Sequence, residues 1–284
     1  MQLDKNQLEY LNNIAKEAVV EAGKIIQSMV HTHKRLNDKK GGHSVASQVL
    51  TEADLKAQDV ILKKLQPTIV EFDLGWLGEE SEDDKSRFRK DYFWCVDPLD
   101  GTLAFTEGYP GYAVSVALIS KQGDPVLGVI YMPFTDTLVS SLEPSLTVAE
   151  NADKKLCLYC DKSFLRHPKY YLIFRQMDNY AKSIGLRGFK VISGAGAVVN
   201  AISVFQHSDA CYFKYPKPGN GGGSIWDFAA TVAIGNSISA WVSDSKGQKM
   251  DLNRKESAYM NHTGILYASN KELAEFIIRL GEEL

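Results

Sequence analysis

Trp94-Cys95-Val96-Asp97-Pro98-Leu99-Asp100-Gly101-Thr102 is the stretch that decides the reading of this chain. The apolar run 92–96 has the character of a short strand and runs straight into Asp97-Pro98. Pro98 fixes φ there, and Gly101 lets the backbone come close to a ligand. Asp97 and Asp100 repel each other at the mouth of a strand, which raises the pKa of one of them. A divalent cation removes that cost, and two carboxylates with a backbone carbonyl between them form the hard oxygen set that Mg²⁺ prefers. Taken alone, Asp-Pro-Leu-Asp-Gly suits a surface turn equally well.

Two further acidic segments bear on that choice. Leu77-Gly78-Glu79-Glu80-Ser81 follows a β-rich stretch, and by itself it reads as a solvated charge run because Glu82, Asp83 and Asp84 continue it. Gly223-Ser224-Ile225-Trp226-Asp227-Phe228-Ala229-Ala230 puts one Asp at the start of an apolar helix, where a carboxylate also favours the helix dipole.

Working outward, Leu8, Leu11, Ala15, Ala18, Ala22, Ile25 and Met29 recur in steps of three and four, which predicts an amphipathic helix over residues 5–30. The polar stretch 31–42, with Lys39-Lys40-Gly41-Gly42, predicts a loop. Thr51-Glu52-Ala53-Asp54 opens a second helix through about Leu65, with Thr51 and Asp54 in an N-terminal capping arrangement and Pro67 marking the end. Ala113–Ile119, Val126–Tyr131 and Thr137–Leu142 predict an antiparallel meander. Beyond about residue 150 strands alternate with helices. Strands are expected near 190–192, 210–213, 240–242 and 264–268, and helices near 197–205, 225–234 and 271–280. The chain therefore divides into two mixed halves, 1–150 and 151–284.

Composition narrows the function classes. The 284 residues include 32 Lys+Arg against 35 Asp+Glu, a net charge of −3, which argues against nucleic-acid binding through a basic face. No apolar run approaches the ~20 residues that span a bilayer, so no membrane partner is expected. The N-terminus lacks a basic region followed by an apolar core, which leads to the expectation of a cytoplasmic protein. Of Cys95, Cys157, Cys160 and Cys211, only Cys157 and Cys160 have C-x-x-C spacing. Without a second such pair they read as free thiols in a reduced compartment rather than a zinc site.

Together Gly78–Glu80, Asp97–Thr102 and Trp226–Ala230 resemble the three-part signature of the inositol monophosphatase superfamily of metal-dependent, lithium-sensitive phosphatases. Leu50-Thr51-Glu52-Ala53-Asp54 is similar to the family's upstream Thr-x-x-Asp segment. The resemblance implies an α/β (α+β) fold, a layered α/β/α/β/α sandwich, commonly dimeric, with the site between the two halves. It also implies roles for individual residues. Glu79, Asp97 and the Leu99 carbonyl would hold a first Mg²⁺, and Asp97, Asp100 and Asp227 a second. Glu79 would hold a third ion through water. Thr102, hydrogen-bonded to Asp54, would orient the attacking water, with Glu79 the other candidate for that task. Backbone N–H groups at Gly101 and Thr102 would meet phosphate.

The substrate is less closely defined. Residue 220, where the inositol-specific branch has an acidic residue that binds sugar hydroxyls, is Asn220 within Pro218-Gly219-Asn220-Gly221-Gly222-Gly223. The segment Ile192-Ser193-Gly194-Ala195-Gly196-Ala197 is closer to the bisphosphate nucleotidase branch, with Ala197 a substrate-binding candidate. The expected activity is Mg²⁺-dependent hydrolysis of inositol monophosphate or a 3′(2′),5′-bisphosphate nucleotide. Histidinol-phosphate phosphatase is the alternative enzyme, and a silent metal- or phosphate-binding partner the alternative of another class.

Overall fold

The computed structural model describes residues 2–37, 42–219 and 221–284. Two long helices, α1 (Lys5–Asn37) and α2 (Gly42–Glu71), open the chain and pack on each other. Both depart from the sequence expectation. α1 continues past residue 30 into the stretch expected to be a loop, and 38–41 lie outside the described residues. α2 begins well before Thr51, so Thr51 stands inside the helix instead of capping it. It also runs through Pro67, which is tolerated because Pro67 and Lys63, whose carbonyl loses its donor, both lie on the exposed side. On the buried side Thr68 takes over, donating to the Leu65 carbonyl and accepting from the Trp94 indole N–H at 3.0 Å.

The first sheet has the order β1 (Gly75–Gly78), β2 (Tyr92–Asp100), β3 (Ala113–Ser120), β4 (Pro125–Met132), β5 (Thr137–Ser140). β1 is parallel to β2, β2 is antiparallel to β3, and β3 to β5 form the expected meander. A one-turn helix, α3 (Thr102–Glu107), leaves the end of β2. The second sheet contains β6 (Leu156–Cys160), β7 (Phe189–Ser193), β8 (Ala210–Lys214), β9 (Trp241–Ser243) and β10 (Ile265–Ala268), in the order β7-β6-β8-β10-β9. Its helices are α4 (Tyr170–Ser183), α5 (Ala197–Phe205), α6 (Ile225–Ser237) and α7 (Lys271–Glu282).

Strand alternation sorts the apolar side chains into three cores and so stacks the layers. Trp94, Val96, Val116 and Val129 face α1 and α2. Phe93, Cys95, Ala117 and Ile130 face the opposite way, onto α5 and α6, which also meet Tyr212, Ile265 and Tyr267 of the second sheet. The far face of that sheet, with Leu158, Phe213 and Leu266, is covered by α4 and α7. The result is the expected α/β/α/β/α sandwich. β6 also settles the C-x-x-C spacing: Cys157 belongs to the central core and Cys160 to the outer one, so the two thiols point to opposite faces of the sheet. All four cysteines are free and buried.

Candidate active site

In a regular strand, residues three apart point to opposite faces. β2 breaks that rule at the place where it matters. Asp97 pairs with Ser115 but Asp100 pairs with Ala113, so β2 spends one residue more than β3 over this interval. This bulge contains Pro98, which has no ladder N–H to lose, and it turns both carboxylates into one space. The third member arrives from the start of α6. Oxygen atoms of Asp97, Asp100 and Asp227 all lie within 4.8 Å of one another. The Ser115 hydroxyl, donating to the Trp226 carbonyl at 3.4 Å, ties β3 to the first turn of α6.

Each carboxylate is held by backbone donors. Asp97 Oδ1 accepts the Leu99 N–H at 3.0 Å, while the Leu99 side chain is buried in the core under α1 and α2. Asp100 accepts two bonds from the first turn of α5, Oδ1 from the Ala197 N–H and Oδ2 from the Val198 N–H, each 2.9 Å. Asp227 accepts the Ser224 N–H. The Gly196 N–H in turn bonds the Gly111 carbonyl at 2.8 Å, so the Gly194-Ala195-Gly196 turn is clamped to the loop following α3. Gly101 has a φ of 86° and its backbone packs against Gly111, a position that no larger residue fits.

Glu79 follows β1 directly, its N–H donating to the Val96 carbonyl at 3.1 Å. It is open to the cleft, yet desolvation on its inner side, then the charge of Asp227, pushes its carboxyl up to about 7. Asp54, buried on α2, is likewise pushed up to about 7 by burial and then by Glu80 and Glu79. Burial, compounded by their neighbours' charges, holds Asp97 and Asp100 well above the carboxylate range. Asp227 is raised by burial, against the opposing pull of Lys214. The cluster is therefore an all-oxygen donor set with far more negative charge than Lys214 can balance. That chemistry fits a hard divalent cation.

Thr102 begins α3 and is exposed. Among the described residues no hydrogen bond joins its hydroxyl to Asp54, the link that the family resemblance implies. Asn220 lies outside the described residues. Sequence reasoning missed several residues here. Asp100, Gly101, Ala197 and Asp227 share a cavity of about 220 Å³ with Asp161, Lys162 and Lys214. Lys214 sits at the end of β8 with its ammonium 2.7 Å from Asp161. Gln58 was also missed: its amide oxygen accepts the Glu80 N–H at 3.0 Å and fixes the Glu79-Glu80 turn to α2. The one sequence signal for Gln58 is its position one helical turn after Asp54, beside the apolar stripe of Ala53, Ala57 and Ile61.

A layered sandwich with an uncompensated carboxylate cluster at the junction of β2, α5 and α6 has the donor set of a protein that could hold divalent metal. The chain belongs to the inositol monophosphatase family, whose model matches residues 7–284. It is 36% identical over 254 residues to the inositol-1-monophosphatase of Rhizobium meliloti, covering 84% of this chain and 86% of that protein. It is 30% identical over 211 residues to the 3′(2′),5′-bisphosphate nucleotidase CysQ of Salmonella typhimurium, covering 73% and 81%. Among solved structures, an inositol monophosphatase from Anabaena superposes with a TM-score of 0.68 at 21% identity, covering 98% of this chain and 97% of that one. Inositol monophosphatase II from Staphylococcus aureus superposes at 0.69 with 20% identity, covering 95% and 94%. The protein is a phosphoric monoester hydrolase. These relatives lend no support to a histidinol-phosphate phosphatase.

Proposed function

We propose that this phosphatase uses Mg²⁺ to hydrolyse a small phosphate monoester, inositol monophosphate or a 3′(2′),5′-bisphosphate nucleotide. The observation that carries the reading is the set of buried Asp97 and Asp100 with half-buried Asp227, with Glu79 at its rim and no equal positive charge nearby among the described residues. Glu79, Asp97 and the Leu99 carbonyl would hold one ion, and Asp97, Asp100 and Asp227 a second, with Glu79 available to a third through water. When bound, such ions neutralise phosphate charge, activate water and stabilise the departing oxygen.

The remaining work falls to the chain's own groups. Backbone N–H groups at Gly101 and Thr102 donate to the phosphate oxygens, Ala197 and the carboxylates of Asp100 and Asp227 face the alcohol, and Asn220 is a candidate from sequence for binding its hydroxyls. Thr102 Oγ1 orients the attacking water. Asp54, whose carboxyl is pushed up to about 7 by burial and then by the charges of Glu80 and Glu79, is the group assigned to take up the proton. Glu79 shares that task.

We further infer a homodimer in the cytoplasm, without nucleic-acid or membrane partners. Most metal ligands fall in a half spanning 1–150, while Asp227 and the specificity loops fall in 151–284. The net charge of −3 supports the exclusion of nucleic acid. No helix among the described residues is long and apolar enough to cross a membrane. Sedimentation velocity tests the dimer. Phosphate release from inositol 1-phosphate and adenosine 3′,5′-bisphosphate, with Mg²⁺ and with EDTA, tests the activity. Hydrolysis that persists in EDTA, or hydrolysis of neither ester with Mg²⁺, refutes it.

A further inference from the structure

Asp161 and Lys214 form a wall with two sides. On one side lies the acidic cleft, and on the other a second cavity of about 380 Å³ that both residues also line. That volume is ordinary for a small-molecule site. Its wall is aromatic, with Phe164, His167, Phe213 and Tyr215, and carries a further ammonium group on Lys217.

The aromatic wall is fixed from behind. Phe164 stands edge-on to buried Phe213, centroids 5.9 Å apart, and lies within 20° of parallel to His167 at 6.3 Å. His167 Nδ1 accepts the Lys169 N–H at 3.2 Å, so the proton of the neutral ring resides on Nε2. Burial, then the charge of Lys169, holds the His167 pKa below its ordinary value and keeps the ring neutral at pH 7.

The three nearby lysines are not equivalent. Lys162 pairs with Glu107 at 2.9 Å and Lys214 with Asp161 at 2.7 Å. Lys217 makes no ion pair among the described residues. Its backbone is anchored at both ends, the N–H donating to the Asn261 carbonyl at 3.0 Å and the carbonyl accepting from Asn261 Nδ2 at 3.2 Å. A side chain tethered at its base beside a cavity, with an unneutralised charge, is a ready partner for an anion.

A polyol calls for carboxylates and amides directed at its hydroxyls. The one carboxylate in this cavity wall is Asp161, already engaged by Lys214. A planar ring bearing a separate anionic group uses both features present, the aromatic faces and the free ammonium. We propose that this cavity is the leaving-group subsite, taking the base and the uncleaved phosphate of a nucleoside bisphosphate, with Phe164 and His167 against the base and Lys217 on that phosphate. The assignment rests on the scissile phosphate lying in the acidic cleft next door.

Adenosine 5′-monophosphate retains the base and the second phosphate but lacks the phosphate to be cleaved, so it probes the subsite without turnover. It is titrated calorimetrically into the full chain with Mg²⁺, beside inorganic phosphate, for wild type, Lys217→Gln and Phe164→Leu. Lys217 is exposed, so Lys217→Gln retains the fold, which its melting temperature checks. Lys217→Gln should weaken the nucleotide about tenfold, the cost of one charged hydrogen bond, and more than it weakens inorganic phosphate. Phe164→Leu should weaken it about fivefold or more through lost stacking. The ratio of kcat/KM for adenosine 3′,5′-bisphosphate to that for inositol 1-phosphate should favour the nucleotide in wild type and fall about tenfold in Lys217→Gln. Nucleotide binding and a substrate ratio both indifferent to Lys217→Gln, or a wild type that prefers inositol 1-phosphate, would overturn the proposal. Failure of the phosphatase reading is a separate result, no phosphate released from either ester, and the nucleotide titration does not depend on it.

Discussion

Replacing Gly196 by alanine puts a methyl group into the contact that holds Asp100. Gly196 has φ −67° and ψ 172°, which alanine adopts without strain, so any effect is steric. The new Cβ would stand 2.6 Å from Asp100 Cγ and 2.6 Å from Gly101 Cα. Non-bonded carbons rest at about 3.5–4.0 Å, so one side must retreat by about 1 Å. Either retreat, of the α5 start or of the Asp100 carboxylate, lengthens the two 2.9 Å bonds from Ala197 and Val198. Those donors orient Asp100 and favour its ionised form. Losing such support for a metal ligand typically costs about 10–100-fold in metal affinity or activity. Overpacking should also destabilise the fold by about 1–3 kcal/mol. The assay is Mg²⁺ titration by calorimetry and the Mg²⁺ dependence of kcat, both below the melting temperature of the variant. A Gly196→Ala protein with wild-type Mg²⁺ affinity and turnover would refute the idea that the α5 terminus sets the Asp100 geometry.

Asp97→Asn should lower kcat by about 10³-fold or more at saturating Mg²⁺, the several kcal/mol that metal charge supplies. The same change should raise the melting temperature in EDTA, because it removes one member of a crowded buried cluster; wild-type-like turnover counts against the two-ion set. In EDTA, the folded-state carboxyls of Asp54 and Glu79 at about 7, above their ordinary 3.8 and 4.5, keep protons that the unfolded chain has lost. Their contribution to stability is therefore largest at low pH and declines as pH rises toward about 7, and Mg²⁺ should increasingly offset that decline. Urea midpoints from pH 5 to 8 with and without Mg²⁺ check this, and a Mg²⁺ effect that shrinks as pH rises contradicts it. Lithium should inhibit in an uncompetitive or mixed manner with respect to substrate, far more than KCl at matched ionic strength; equal inhibition by the two salts removes the case for an exchangeable ion at Asp227.

Much of the fold was legible because local signals and tertiary needs agreed. α5 and α7 are continuous apolar-periodic segments, and β3 to β5 are β-rich runs parted by turn residues, so period and punctuation sufficed. The signals failed where a local rule was outweighed by packing. Pro67 marks a helix end in sequence, yet the paired faces of α1 and α2 carry the helix through it. α4 went unread although Ile173, Met177 and Ala181 repeat every four residues, because the polar and aromatic residues between them blur the stripe. β6 carries no period-2 signal, because Leu156-Cys157-Leu158-Tyr159-Cys160 lies between two packed layers and has no polar residue alternating with its apolar ones.

The sequence by itself determined the chemistry available: Glu79, Asp97, Asp100 and Asp227 are acidic, sit in recognisable segments, and identify the family through residue order alone. Only the tertiary structure decided their arrangement. An extra residue in β2 brings Asp97 and Asp100 to one side, a parity that depends on pairing with β3 and is invisible in either strand read separately. The first turn of α5 supplies two donors to Asp100 from almost a hundred residues away. Lys214 and Asp161 meet at the cleft because β8 and the end of β6 are neighbours in one sheet. Motifs record which groups a reaction needs. Their distances and pKa values, and the cavity open to the leaving group, come from contacts between segments far apart in the chain, and those exist only once the layers have packed.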